Sequence, residues 1–213
     1  MRPFIRHRGR MVPLDRSNVD TDQIVPKQFC KRVERTGFAD ALFFNWRQGQ
    51  KEFILDRAEY KAASILVAGD NFGCGSSREH AVWAIDDGGY RVVIAPSFGD
   101  IFRNNCHKVG ILPVGLPAAD VRRLMDIASA QPSRTMLVDL ELQIVRGPEF
   151  EKHFDIDPFV RECLLHGWDE IGLTLRHVAE IAAFEARLPS WIAPVESVSR
   201  RDGRIDAVAV EGH

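Results

Sequence analysis

The sequence predicts an α/β fold, and three observations carry that prediction. Short apolar runs recur at residues 64–68, 91–95 and 111–114, and continuous aliphatic, β-branched runs of this length are the mark of buried strands. Helical stretches separate them, each stopped by glycine at Gly88-Gly89 or Gly110. The chain is also of one-domain size: 213 residues, 45% hydrophobic and 27% charged, enough for a packed core.

Taken in order, the first quarter reads as loop and strand, punctuated by Pro13, Asn18, Pro26 and Gly37. Residues 53–57 are expected to form a short strand, and residues 64–68 a buried one. A helix is expected from Ser76 or Ser77 to just before Gly88. Arg91-Val92-Val93-Ile94-Ala95 is the next strand, and Pro96-Ser97 opens a helix running to about Lys108. Ile111 to Val114 is a third strand. Pro117 opens an amphipathic helix with Val121, Leu124, Met125 and Ala128 on one stripe. Residues 136–145 alternate apolar and polar, which predicts one strand with a wet face. Asp157-Pro158 reads as an N-cap and first helical residue, with Gly167 past the end. Thr174 to Arg187 is expected to be a last helix, with Leu175, Val178, Ile181 and Ala182 apolar. Residues 193–213 have little periodicity and are expected to be a poorly ordered tail. Strands and helices alternate from about residue 60 onward.

Composition excludes several function classes. The formal charge is -2 and the pI about 6.4, so no basic surface points to nucleic acid. No apolar run approaches the roughly 18 residues of a membrane span. The basic start, MRPFIRHRGRMVPLDR, lacks the apolar segment of a secretory signal, and Asp15, Asp20 and Asp22 argue against a transit peptide. A cytoplasmic protein is expected, with no nucleic-acid or membrane partner. The four cysteines, Cys30, Cys74, Cys106 and Cys163, are widely spaced and form no CxxC pair. Neither a disulfide framework nor a self-contained zinc or iron–sulfur site is expected.

Chemistry concentrates in GDNFGCGSSREHAVWAI, Gly69 to Ile85. A strand, a glycine-rich turn and a helix start make an anion site, because the first helical N–H groups have no intrahelical partner and the dipole favours negative charge there. Arg78 adds a planar cation suited to a carboxylate or phosphate. Known loops fail on specific residues. There is no lysine for a P-loop, and Arg78 stands where a dinucleotide loop needs its third glycine. No GxSxG elbow occurs, and Ser77 occupies the cysteine position of a papain-like signature. What remains is serine at a cationic helix start. Such a serine can act as a base if convergent donors stabilise its alkoxide; on local physics alone, Ser76 or Ser77 capping the helix is the simpler reading. Glu79 serves the dipole equally well, and a lone His80 is more simply a hydrogen-bonded structural histidine.

The segment NFGCGSSREHAVWAI (Asn71–Ile85) closely resembles the serine loop of the aconitase superfamily's swivelling domain. Three further segments agree in order. NVDTDQIVPKQF (Asn18–Phe29) resembles the family's N-terminal substrate-side loop, and RVVIAPSFGDIFRNNCHKVGILPV (Arg91–Val114) its next strand–helix–strand. DPFVRECLLHGWDEIGLTL (Asp157–Leu175), with IAAFE (Ile181–Glu185), is similar to the C-terminal part of bacterial small subunits of 3-isopropylmalate dehydratase.

The resemblance covers roughly residues 1–190 and implies an aconitase-type swivelling β/β/α domain there, a central strand layer flanked by helices, with 191–213 as a tail. It implies a hydro-lyase that isomerises 2- and 3-isopropylmalate through 2-isopropylmaleate in leucine biosynthesis, active only with a large subunit. That partner would carry the [4Fe–4S] cluster, leaving no cofactor or metal site in this chain. Carried over residue by residue, Ser76 matches the base, Ser77 a hydroxyl or backbone donor, Arg78 a binder of substrate carboxylate, and Asp22 an active-site acid. Without the resemblance, Asp22 reads as a turn residue bonding its own backbone. Cys30 to Gly37 lies where the family varies its recognition loop, so Arg32 or Arg35 could reach substrate, or form a solvated basic loop. Two other readings stay open: a small subunit acting on citraconate, dimethylmaleate or another dicarboxylate, and a non-catalytic anion-binding module.

Overall fold

The computed structural model describes residues 1–49, 52–76 and 78–189. Contacts divide the chain into two compact units, Met1–Asp169 and Glu170–His213. Residues 191–213, the expected tail, lie outside the described residues.

The first unit is built in chain order from β1 (Arg6–Leu14), α1 (Thr21–Ile24), α2 (Phe44–Gly49), β2 (Ala63–Ala68), α3 (Glu79–Asp87), β3 (Val92–Ala95), α4 (Asp100–Val109), β4 (Leu112–Gly115), α5 (Ala118–Ala130), β5 (Thr135–Asp139), β6 (Ile144–Gly147), β7 (Phe150–His153) and α6 (Pro158–His166). The seven strands form one sheet in the order β4-β3-β2-β1-β5-β6-β7. Strands β1 to β4 pair in parallel, and β1-β5, β5-β6 and β6-β7 are antiparallel.

Both faces of the sheet are covered, which is why its central strands read as unbroken apolar runs. Leu66, Ala68, Val93 and Ala95 pack with Ile24, Phe43, Val82, Ile85 and Phe102 on one face. Their strand neighbours Ile65, Val67, Val92 and Ile94 pack with Val121, Leu124 and Leu164 on the other. The alternation is the period of two of a pleated strand.

Strand β1 tolerates Pro13 because of a stagger. Residues Arg6–Arg10 pair with β5, whereas Arg10–Leu14 pair with β2. Beyond Arg10 the strand has a sheet neighbour on one side only, so an absent N–H need not break a ladder.

Besides the start of α3 at Glu79, four expectations need correction. Residues 53–57 do not form a strand: Ile54–Asp56 is a 3₁₀ turn, closed by Asp56 N–H donating to Phe53 O at 2.9 Å. Residues 136–145 are not one strand but parts of two. Asp139 accepts from Leu142 N–H at 2.9 Å, and Gln143 takes φ 52°, so the chain reverses between β5 and β6. Helix α4 begins at Asp100 rather than at Pro96-Ser97, because Ser97 is engaged with the neighbouring loop through Asp70 and Asn71. In the second unit, the expected helix 174–187 is two, α7 (Glu170–Leu175) and α8 (Val178–Glu185), divided where Arg176 and His177 donate to Leu173 and Thr174 in tight turns.

Candidate active site

Loops at the C-terminal ends of β1, β2 and β3 interlock, the place where open parallel sheets bind ligands. Asn18 N–H donates to Asp70 O at 2.8 Å, Gly73 N–H to Val19 O at 2.7 Å, and Thr21 N–H to Cys74 O at 3.0 Å. Ser97, after β3, donates through Oγ to Asp70 at 2.5 Å and accepts Asn71 N–H at 3.0 Å. These bonds tie the segment Asn18–Phe29 to the glycine-serine loop.

The first of these loops is shaped by a capping box. Asp20 accepts Gln23 N–H at 2.7 Å, and the Gln23 side chain accepts Asp20 N–H at 2.9 Å, satisfying two donors at the start of α1. Thr21 is buried and donates from Oγ1 to the Ser76 carbonyl at 2.9 Å. Asp22 follows, exposed, on the same short helix.

The second loop turns on Gly73 and Gly75, with φ of 72° and 91°, conformations open to glycine and costly for other residues. A Cβ on Gly73 would lie 2.2 Å from Phe102 Cγ. The loop therefore presses onto the core and leaves Ser76 exposed at its tip.

Ser76 is not a helix cap. Helix α3 starts at Glu79, its N-cap is Arg78, and no side chain of the cap bonds the helix. Ser77 lies outside the described residues. Arg78 forms an ion pair with Asp22 and lies 3.5 Å from the Val25 carbonyl through Nη1. The guanidinium is mostly buried while the carboxylate is half-exposed. Two residues 56 positions apart are thus paired across the two loops.

Arg32 and Arg35 stand in another cluster. Arg32 grips Asp40 and lies over Phe29 and Phe38. Arg35 lies 5.8 Å from the centre of the Trp83 ring. His80 packs its ring against Phe38 and Trp83, and Glu79 sits in the first turn of α3.

Sequence reasoning missed Asp20, Thr21, Asp40 and Ser97. The D-x-x-Q spacing of Asp20 and Gln23 carried a readable capping signal. The partners of Thr21, Asp40 and Ser97 are brought close only by folding, and no spacing announces them.

Among the described residues, no three His, Cys, Asp or Glu side chains gather as a metal site. All four cysteines are free, and burial raises the thiols of Cys74 and Cys106 above their ordinary range.

Comparisons with known proteins bear on the family and the fold. The family model described as Aconitase C-terminal domain matches residues 1–119. The model for the C-terminal domain of the 3-isopropylmalate dehydratase small subunit matches residues 170–191. The 3-isopropylmalate dehydratase small subunit of Acidothermus cellulolyticus is 57% identical over 191 residues, covering 90% of this chain and 96% of that protein. The corresponding protein of Rubrobacter xylanophilus is 52% identical over 195 residues, covering 92% and 100%. The crystal structure of 3-isopropylmalate dehydratase (leuD) from Methanocaldococcus jannaschii has a TM-score of 0.64 at 26% identity, covering 84% of this chain and 99% of that one. By sequence over most of its length and by its fold, the chain belongs to the family of 3-isopropylmalate dehydratase small subunits.

Proposed function

We propose that this chain is the small subunit of a 3-isopropylmalate dehydratase, a hydro-lyase of leucine biosynthesis that works with a large subunit in the cytoplasm. The swivelling domain is residues 1–190, and residues 191–213 are a C-terminal tail. The large subunit supplies a [4Fe–4S] cluster, whose chemistry is that of a Lewis acid toward the substrate hydroxyl. No described helix is long and apolar enough to cross a membrane, in keeping with this reading.

The steps assigned to this chain use its own atoms. Ser76 Oγ, as the alkoxide, takes the proton from carbon. The C–H electrons form the C=C bond as hydroxide departs from the adjacent carbon, and water returns in the other orientation to give the isomer. Arg78 holds a substrate carboxylate with the N–H donors that Asp22 leaves free. Asp22 keeps that fork oriented, and Ser77 adds a hydroxyl or backbone donor. Arg35 faces the substrate from the recognition loop.

The observation that carries the reading is the ion pair between Arg78 and Asp22, since it joins the two loops from which the residues come. The test is an anaerobic assay of this chain mixed with a cluster-loaded large subunit from the same organism, following interconversion of the two isopropylmalates. Activity is expected only in the mixture. A stable complex with an intact cluster and no turnover would move the substrate to citraconate, dimethylmaleate or another dicarboxylate; failure to form a complex would favour an anion-binding module.

A further inference from the structure

Arg32 is engaged within its own loop. Its Nη1 donates to the Gly37 carbonyl at 2.6 Å and to Asp40 Oδ1 at 2.8 Å, and its Nη2 to Asp40 Oδ2 at 2.7 Å. The guanidinium lies 4.9 Å from the Phe29 ring centre and 5.5 Å from that of Phe38. Phe38 is fully buried, and its N–H donates to Asp87 of α3 at 2.7 Å. The segment between Arg32 and Phe38 is therefore a closed loop, anchored to α3 at one end and drawn shut by a bidentate pair. At its tip Val33 is 91% exposed, and the Arg35 guanidinium lies toward the Trp83 ring.

We propose that Arg32 is a positioning residue whose clasp on Asp40 and Gly37 sets the shape of the 33–36 loop, and with it the substrate group that the site selects. This rests on the reading above that the loop faces substrate. Three of the five guanidinium N–H donors of Arg32 are taken by Asp40 and Gly37, two of them in the parallel fork. Asp40 keeps its charge for this role, since its hydrogen bond to Arg32 holds its carboxyl below the usual range. A single exposed ion pair does little, but a two-pronged pair with a carbonyl and two ring faces fixes a geometry. Lysine, a point charge on a flexible stem, cannot reproduce that fork.

The test compares Arg32→Lys, Asp40→Asn and the double variant in the reconstituted complex, against 3-isopropylmalate and its smaller methyl analogue. Each single variant is expected to raise KM for 3-isopropylmalate about five- to tenfold with kcat within about twofold. The preference over the methyl analogue should fall, the double variant should be no worse than either single, and amide exchange at residues 33–36 should accelerate. A raised KM for Arg32→Lys with an unchanged Asp40→Asn enzyme would make Arg32 a direct ligand and overturn the clasp. Faster exchange with KM and preference unchanged in all three would also overturn it, by removing the loop from substrate selection. In that case Ser76→Ala, measured alongside, tells whether the catalytic reading itself still stands.

Discussion

A guanidinium held against a carboxylate is restrained in direction and still has donors to give. Arg78 is in that state, paired with Asp22 beside the exposed Ser76. Replacing Ser76 with alanine should lower turnover by about 10² to 10⁴-fold, the range of a lost general base, with little change in KM and an unaltered circular dichroism spectrum; full turnover would remove the serine from proton transfer. Arg78→Lys keeps the charge but loses the fork, so KM should rise about tenfold or more, and an unchanged KM would mean that substrate does not meet this side chain. The motif made Ser76 and Arg78 visible as candidates, and Asp22 entered only through the family resemblance. It did not reveal that Arg78 and Asp22 touch, because nothing in the spacing of residues 56 apart encodes their meeting. Nor did it reveal that Arg32 is engaged by Asp40, 8 positions on.

At the scale of elements, the site depends on a turn forced hard against α4. Gly73 combines a φ of 72° with a Cβ position 2.2 Å from Phe102, whereas Gly89, with φ 88°, has nothing within 4 Å. Gly73→Ala should therefore cost clearly more than Gly89→Ala, about 1 kcal/mol for the backbone strain alone at Gly89 and about 2 kcal/mol or more once overpacking is added at Gly73. Denaturant midpoints compare the two, and equal losses would show that packing against Phe102 is not what holds the loop. Elements defined by local signals were legible. Asp157-Pro158 and Gly167 bound α6 as expected, and the stripe of Val121, Leu124, Met125 and Ala128 is the buried face of α5. Elements whose limits depend on tertiary bonds were not. The start of α3 moved from Ser76 or Ser77 to Glu79 because the loop before it is held by Val19 and Thr21. The alternation at 136–145 continued through a reversal because Asp139 turned the chain with its side chain.

For the first unit as a whole, partly buried histidines tie stability to pH. His107 of α4 has its pKa lowered to about 4, first by burial and then by Arg103, with Asp157 acting the other way. Well above about pH 6.5 it is neutral in both folded and unfolded chains. As pH falls from there toward 4, the unfolded chain binds a proton that the folded one refuses, so stability falls, by up to about 3 kcal/mol across the window. His7, lowered chiefly by burial, acts in the same direction. Urea midpoints between about pH 7.5 and 4.5 should drop less steeply for His107→Asn than for the unaltered chain, and identical slopes would mean that His107 titrates freely. Composition and pattern by themselves determined the α/β class, the buried central strands and the glycine-serine loop as the place of the chemistry, because burial on both faces and glycine-dependent turns leave their mark on consecutive residues. Only the tertiary structure decided the sheet order, the pairing of Arg78 with Asp22 and the clasp of Arg32 on Asp40, because those contacts join residues whose nearness is a product of folding rather than of sequence spacing.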